Sequence, residues 1–114
     1  MSGITTHVLD VALGRPARGV PVRLEFRAGD RGWVELARRV TDDDGRVRDL
    51  TAADQPIKAG QYRLTFGTGE YFRARGGTGF YPEVPVVFEI REPTEHYHVP
   101  LLLSPFGYST YRGS

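Results

Sequence analysis

The sequence predicts an all-β fold, an antiparallel β-sandwich of seven to eight short strands with one short α-helix. Three observations predict it. Apolar side chains recur with period two through most of the chain. Clusters of Gly, Pro and Asp separate those stretches at short intervals. A single segment departs from alternation toward a helical pattern. Short strands of this kind bury one face each, and two such layers packed together are the economical solution.

The elements follow in chain order. In "HVLDV" Val8 is the core residue, so Thr5, His7 and Leu9 share the opposite face. "LGRPARG" is a turn. In "VPVRLEF" Val20, Val22, Leu24 and Phe26 point one way, Arg23 and Glu25 the other. "RAGDRG" turns into "WVELARRV", and "TDDDG" turns into "RVRDL", both read as strands with less regular alternation. After "KAG", "QYRLTF" sets Tyr62, Leu64 and Phe66 against Arg63 and Thr65. "TGEYFRARGG" offers Thr68 as an N-cap, a short helical run and glycines to end it. "GGTGFYPE" is a loop, and "VPVVFEIR" sets Val84, Val86, Phe88 and Ile90 against Glu89 and Arg91.

Composition narrows the function classes. The chain has 114 residues, which predicts one domain over 1–114. It has no cysteine, so disulfides, thiolate metal sites and a cysteine nucleophile are excluded. Fifteen basic residues against 14 acidic ones leave a formal charge of +1, which predicts no nucleic-acid or membrane partner held by bulk charge. "MSGITTHVLDVALG" lacks the basic and apolar regions of a secretory signal, and no apolar run approaches the roughly 20 residues of a membrane span. A cytoplasmic protein is the expectation.

The last strand, "HYHVPLLLSP", carries the chemistry. Tyr97, Val99, Leu101 and Leu103 form its core face, so His96, His98, Pro100 and Leu102 lie outside. The outer face of a sheet is not a pocket, and a site there needs a roof. A second copy of the chain is the economical one, and apolar Pro100 and Leu102 on that face agree with a covered surface. Oligomerisation, with the site around His98 at a subunit interface, is therefore expected. His7 from the first strand is placed to meet His98 on the same outer surface.

"THVLDVALGRPARGVPVRLE", "TDDDGRVRDL", "FYPEV" and "HYHVPLLLSPFGYSTYRGS" together resemble the 5-hydroxyisourate hydrolases, the transthyretin-related enzymes of urate breakdown, over essentially the whole chain. The resemblance implies a transthyretin-like sandwich and a homotetramer, a dimer of dimers, with sites in the channel between dimers. It implies a catalytic set of His7, Arg46, His98 and the segment Tyr111, Arg112, Gly113 and Ser114, with 5-hydroxyisourate as substrate and no metal or other cofactor. Transthyretin, the hormone carrier, shares the fold but lacks the histidine pair and the "YRGS" segment, so the chain resembles the hydrolase more than the carrier.

Each residue also has a plainer reading. Alone, His98 or His7 is an exposed strand histidine, and Arg46 is a turn arginine whose ion pairs contribute about 0–1 kcal/mol. The functional reading gives Arg46 a planar fork of donors for the carbonyl or anionic oxygens of a flat heterocycle. The "DDD" run lacks the spacing and closing glutamate of a calcium loop. His96, His98 and His7 make a three-histidine set, the pattern of a catalytic zinc, although His96 is outside the family's catalytic set. No G-x-S-x-G elbow and no phosphate loop is present. An ordered "YSTYRGS" would supply a ring and hydroxyl from Tyr111, a guanidinium from Arg112, close backbone approach at Gly113 and a hydroxyl from Ser114.

Histidine titrates near neutral pH and suits a general base. His98 with His7 assisting would activate water; alternatively, one histidine would ionise the substrate's 5-hydroxyl. Arg46 would stabilise the oxyanion. A ligand carrier, a zinc hydrolase and a purely structural sandwich are the competing readings.

Overall fold

The computed structural model describes residues 3–51 and 56–114. Its elements are β1 (Gly3–Asp10), β2 (Arg15–Pro16), β3 (Pro21–Arg27), β4 (Trp33–Val40), β5 (Arg46–Val47), β6 (Gly60–Phe66), α1 (Thr68–Ala74), β7 (Val84–Ile90), β8 (His96–Ser104) and β9 (Gly107–Thr110). Two sheets pack face to face. One has the order β2-β1-β8-β9, with β5 also paired to β1; the other has the order β4-β3-β6-β7. The expected sandwich is present. Its ninth strand arises because β2 and β5 are two-residue strands sharing one edge of β1. The "RVRDL" strand is correspondingly shorter than expected.

One ladder departs from the antiparallel expectation. β1 and β8 run parallel, from Gly3↔His96 to Asp10↔Leu103. A parallel pair cannot be closed by a hairpin, and here almost the whole fold lies between the two strands. The pairing sets the first strand of the chain beside the last long one, which brings histidines far apart in sequence onto one surface.

Alternation places the core as the sequence predicts. Ile4, Val8, Leu24, Leu64, Phe66, Val84, Leu101 and Leu103 are buried between the sheets. Burial of each Leu or Phe side chain contributes about 1.5–3 kcal/mol relative to exposure. The outer face of the second sheet is covered by its own charged side chains. Glu25 accepts a hydrogen bond from Arg63 Nε at 2.8 Å, and the Arg63 guanidinium lies 4.4 Å over the Trp33 ring. Arg63, through this hydrogen bond first, holds the Glu25 carboxyl below its ordinary range.

The helix forms where the alternation stops, but Thr68 is not its cap. Gly67 occupies the cap position, and Thr68, the first helical residue, is buried and donates its hydroxyl to the Tyr81 carbonyl at 3.1 Å. The threonine ties α1 to the following loop instead. The glycines do end the helix: Gly76 N–H donates to the Arg73 carbonyl and Gly77 N–H to the Phe72 carbonyl, with Gly76 at φ +79°. These are the two bonds of a Schellman motif.

Candidate active site

Register assembles the site on the outer face of the first sheet. In the parallel ladder Thr5 stands opposite His98 and His7 opposite Pro100; across β5, His7 stands opposite Arg46. An open cleft of about 340 Å³ results, lined by Thr5, Arg46, Arg48, His96, His98 and Ser114 among others. That volume falls in the range that holds small molecules.

Arg46 is presented by a turn built from the aspartates. Asp42 Oδ1 accepts the backbone N–H of Asp44 and of Arg46, each at 2.9 Å. These bonds, that of Arg46 first, hold the Asp42 carboxyl below its ordinary value. Gly45 closes the turn at φ +73°, and its carbonyl accepts the Val8 N–H at 2.7 Å. A Cβ there would lie 2.4 Å from the Val8 carbonyl oxygen, so only glycine lets β5 approach β1 this closely.

His98 is held from two sides. Its Nδ1 lies 2.8 Å from Thr5 Oγ1, which is also 2.9 Å from His96 Nε2. On the other side Gly113 N–H donates to the His98 carbonyl at 2.8 Å, and the two residues form a bridge. This bridge continues the β8–β9 register without a slip, since Leu101 pairs with Thr110 in the same ladder. A Cβ on Gly113 would fall 2.7 Å from His98 Cδ2 and 3.3 Å from Pro100 Cγ. The tail thus covers Pro100, which is buried although its face points outward.

Both catalytic-candidate imidazoles are biased toward the neutral form. Burial, then the Arg46 guanidinium, then His7 and His96 hold His98 below the ordinary 6.5. Burial and then Arg46 do the same for His7, outweighing the Asp44 carbonyl and the Asp42 and Asp44 carboxylates. Neutral imidazoles beside a guanidinium can accept protons while a fixed positive charge faces developing anionic oxygen.

The expected set is not all gathered in one place. His98, Arg46 and Ser114 line the cleft, with His7 adjoining Arg46 and Gly113 against His98. Arg112 takes the other side. Its Nη2 donates to Glu95 at 2.9 Å, and its guanidinium lies 4.3 Å from the Tyr97 ring centroid. Alternation explains the placement: Gly113 shares the side of His98, so its neighbour Arg112 shares that of Tyr97 and Val99. Tyr111 and Arg112 line a separate cleft of about 270 Å³ with Val86 and Phe88. Within one protomer Arg112 therefore lines that second cleft and not the one beside His98.

Three lining residues, Arg48, Thr5 and Thr6, are not among the candidates the sequence offers. Arg48 shares the outward period with Arg46 around buried Val47, a signal visible in "RVR". Alternation puts Thr5 on the His7 face, but its partnership with His98 depends on a parallel register that no local pattern encodes. The H-x-H pair converges on the Thr5 hydroxyl. Among the described residues, no group of three or more His, Cys, Asp or Glu is placed to hold a metal ion, and no helix is long and apolar enough to cross a membrane.

Comparison with known proteins gives a consistent picture. Residues 4–113 match the HIUase/Transthyretin family. The mouse protein named 5-hydroxyisourate hydrolase is 50% identical over 114 residues, covering 99% of this chain and 96% of its own length. The structure of Klebsiella pneumoniae 5-hydroxyisourate hydrolase superposes with a TM-score of 0.85 at 41% identity, over 100% of this chain and 94% of that one. Sea bream transthyretin in complex with thyroxine superposes with a TM-score of 0.89 at 36% identity, over 96% of this chain and 93% of that one.

Proposed function

The chain belongs to the HIUase/Transthyretin family, and from that premise we propose that it is a hydrolase of 5-hydroxyisourate in urate degradation, forming 2-oxo-4-hydroxy-4-carboxy-5-ureidoimidazoline. The observation that carries the reading is the single cleft in which His98, Arg46 and Ser114 meet beside His7, with both imidazoles held toward neutrality.

The chemistry follows from the geometry. His98, assisted by His7, takes a proton from water as its oxygen attacks the cyclic amide carbonyl. The Arg46 guanidinium faces the oxyanion that forms. Collapse breaks the ring C–N bond, and the proton held by imidazole passes to the departing nitrogen, so no net proton is gained or lost by the protein. Ser114 supplies a polar wall. Tyr111 and Arg112 serve substrate binding only if a second protomer brings its tail to the cleft, which the homotetrameric, dimer-of-dimers assembly would allow. The open cleft needs such a roof.

The carrier reading has less support: the transthyretin match is at 36% identity against 50% for the mouse hydrolase. One experiment separates them. With 5-hydroxyisourate generated in place by urate oxidase, absorbance and circular dichroism are followed together after adding the protein. Accelerated decay through an optically active transient is the expected result. Decay at the spontaneous rate without optical activity would leave a carrier.

A further inference from the structure

His96 lies outside the set that the hydrolase reading uses, yet its ring is directed at the same oxygen as that of His98. Thr5 Oγ1 is 2.9 Å from His96 Nε2 and 2.8 Å from His98 Nδ1. The three side chains share the outer face because β1 and β8 are in parallel register with Thr5 opposite His98.

A threonine hydroxyl has one hydrogen and two lone pairs. While both contacts hold, it donates to one imidazole nitrogen at most, so at least one of the two nitrogens must carry a hydrogen of its own. If Thr5 donates to His98 Nδ1, the hydrogen of neutral His98 sits on Nε2, and that nitrogen cannot take a proton from water. If Thr5 donates to His96 Nε2 it accepts from His98 Nδ1–H, and His98 Nε2 keeps a free lone pair. His96 is exposed, so its own Nδ1–H is met by solvent in that arrangement.

We propose that Thr5 and His96 are positioning residues that hold His98 as the Nδ1–H tautomer, leaving Nε2 as the proton acceptor. The assignment rests on His98 being the base of the proposed reaction. It gives the first strand a role that His7 alone does not explain. The β1–β8 ladder sets the protonation pattern of the base as well as its position.

The test reads the tautomer directly and activity separately. Protein labelled with 15N-histidine has three imidazoles to assign, using His7→Gln and His96→Gln variants. At pH 7.5 the expected spectrum shows a protonated Nδ1 and an unprotonated Nε2 for His98. Thr5→Val keeps the strand's shape and removes the hydroxyl; it should move His98 to a mixture or to Nε2–H. In the same variant kcat should fall about 10–100-fold, the usual loss when a ligand-orienting partner is removed, with KM within about twofold and circular dichroism unchanged. Thr5→Ser should restore both tautomer and kcat. A wild-type His98 protonated on Nε2, or a Thr5→Val protein with unchanged tautomer and kcat, would overturn the proposal. Absence of turnover in the wild-type protein would defeat the hydrolase reading instead, and the nitrogen spectrum would still decide the tautomer.

Discussion

Gly113 and His98 share so little space that each fixes the other. A methyl group at 113 would meet the imidazole at 2.7 Å, well inside contact distance, so Gly113→Ala must rotate the ring or lift the tail. Misplacing a catalytic group by about 1 Å can reduce rate about 10²-fold, and a loss of that order is expected for Gly113→Ala with little change in Tm, checked by kinetics and thermal denaturation. His98→Ala should leave the fold intact and lower kcat by about 10²–10⁴-fold, the usual contribution of a general base; an unchanged rate would refute the assignment. Both residues were legible in the sequence, His98 from strand alternation and Gly113 from the family segment. Arg112 was legible as a member of that segment but not in its direction, because one step along a strand reverses the face. Thr5 was legible only as a polar residue beside His7, since its partner lies 93 positions away.

Elements carry the site into position through two local devices. The Asp42–Arg46 turn hangs on Gly45, whose left-handed φ and contact with the Val8 carbonyl exclude a side chain. Gly45→Ala should destabilise the fold by about 1–3 kcal/mol and displace Arg46, so Tm and kcat should fall together. The second device joins α1 to β1. Tyr71 donates its hydroxyl to Asp10 Oδ2 at 2.7 Å, Leu13 N–H donates to Asp10 Oδ1 at 3.1 Å, and Asp10 is buried. Burial first and then Asp10 push the Tyr71 hydroxyl up to about 12, so it remains a donor throughout the physiological range. Tyr71→Phe leaves a buried carboxylate short of a partner and should lower stability by about 1–3 kcal/mol, measured by denaturant unfolding. Alternation revealed the strands and the helix. It did not reveal that Asp10 would be buried, because that depends on a helix 61 positions later in the chain meeting the strand.

At the scale of the whole molecule, the two outer faces differ. The second sheet carries the Arg63, Glu25 and Trp33 ladder, while the first carries the imidazole cleft; both expose apolar side chains, Leu36, Val40 and Val87 on the second and Val11, Leu13, Phe106, Tyr108 and Tyr111 on the strands, turns and tail of the first. The cleft face titrates. His7 and His98 both have folded-state pKa values below the ordinary 6.5, so between those values and 6.5 the unfolded chain binds more protons than the folded one. Their contribution to stability is complete above about 6.5 and is lost as pH falls through the lowered folded values, in the direction set by linkage. A His7→Asn, His98→Asn protein should therefore show a flatter Tm between pH 7 and 5 than the parent; equal slopes would refute the shared depression. The same face argues for assembly. The cleft that holds His98 is open, and in the proposed reaction a second copy would close it against bulk water. If the partner completes the site, activity per protomer is not constant with concentration. Light scattering should show a multiple of the protomer mass at working concentration. Specific activity should fall in the dilution range where that mass falls, whereas a constant specific activity through dissociation would show that one protomer suffices.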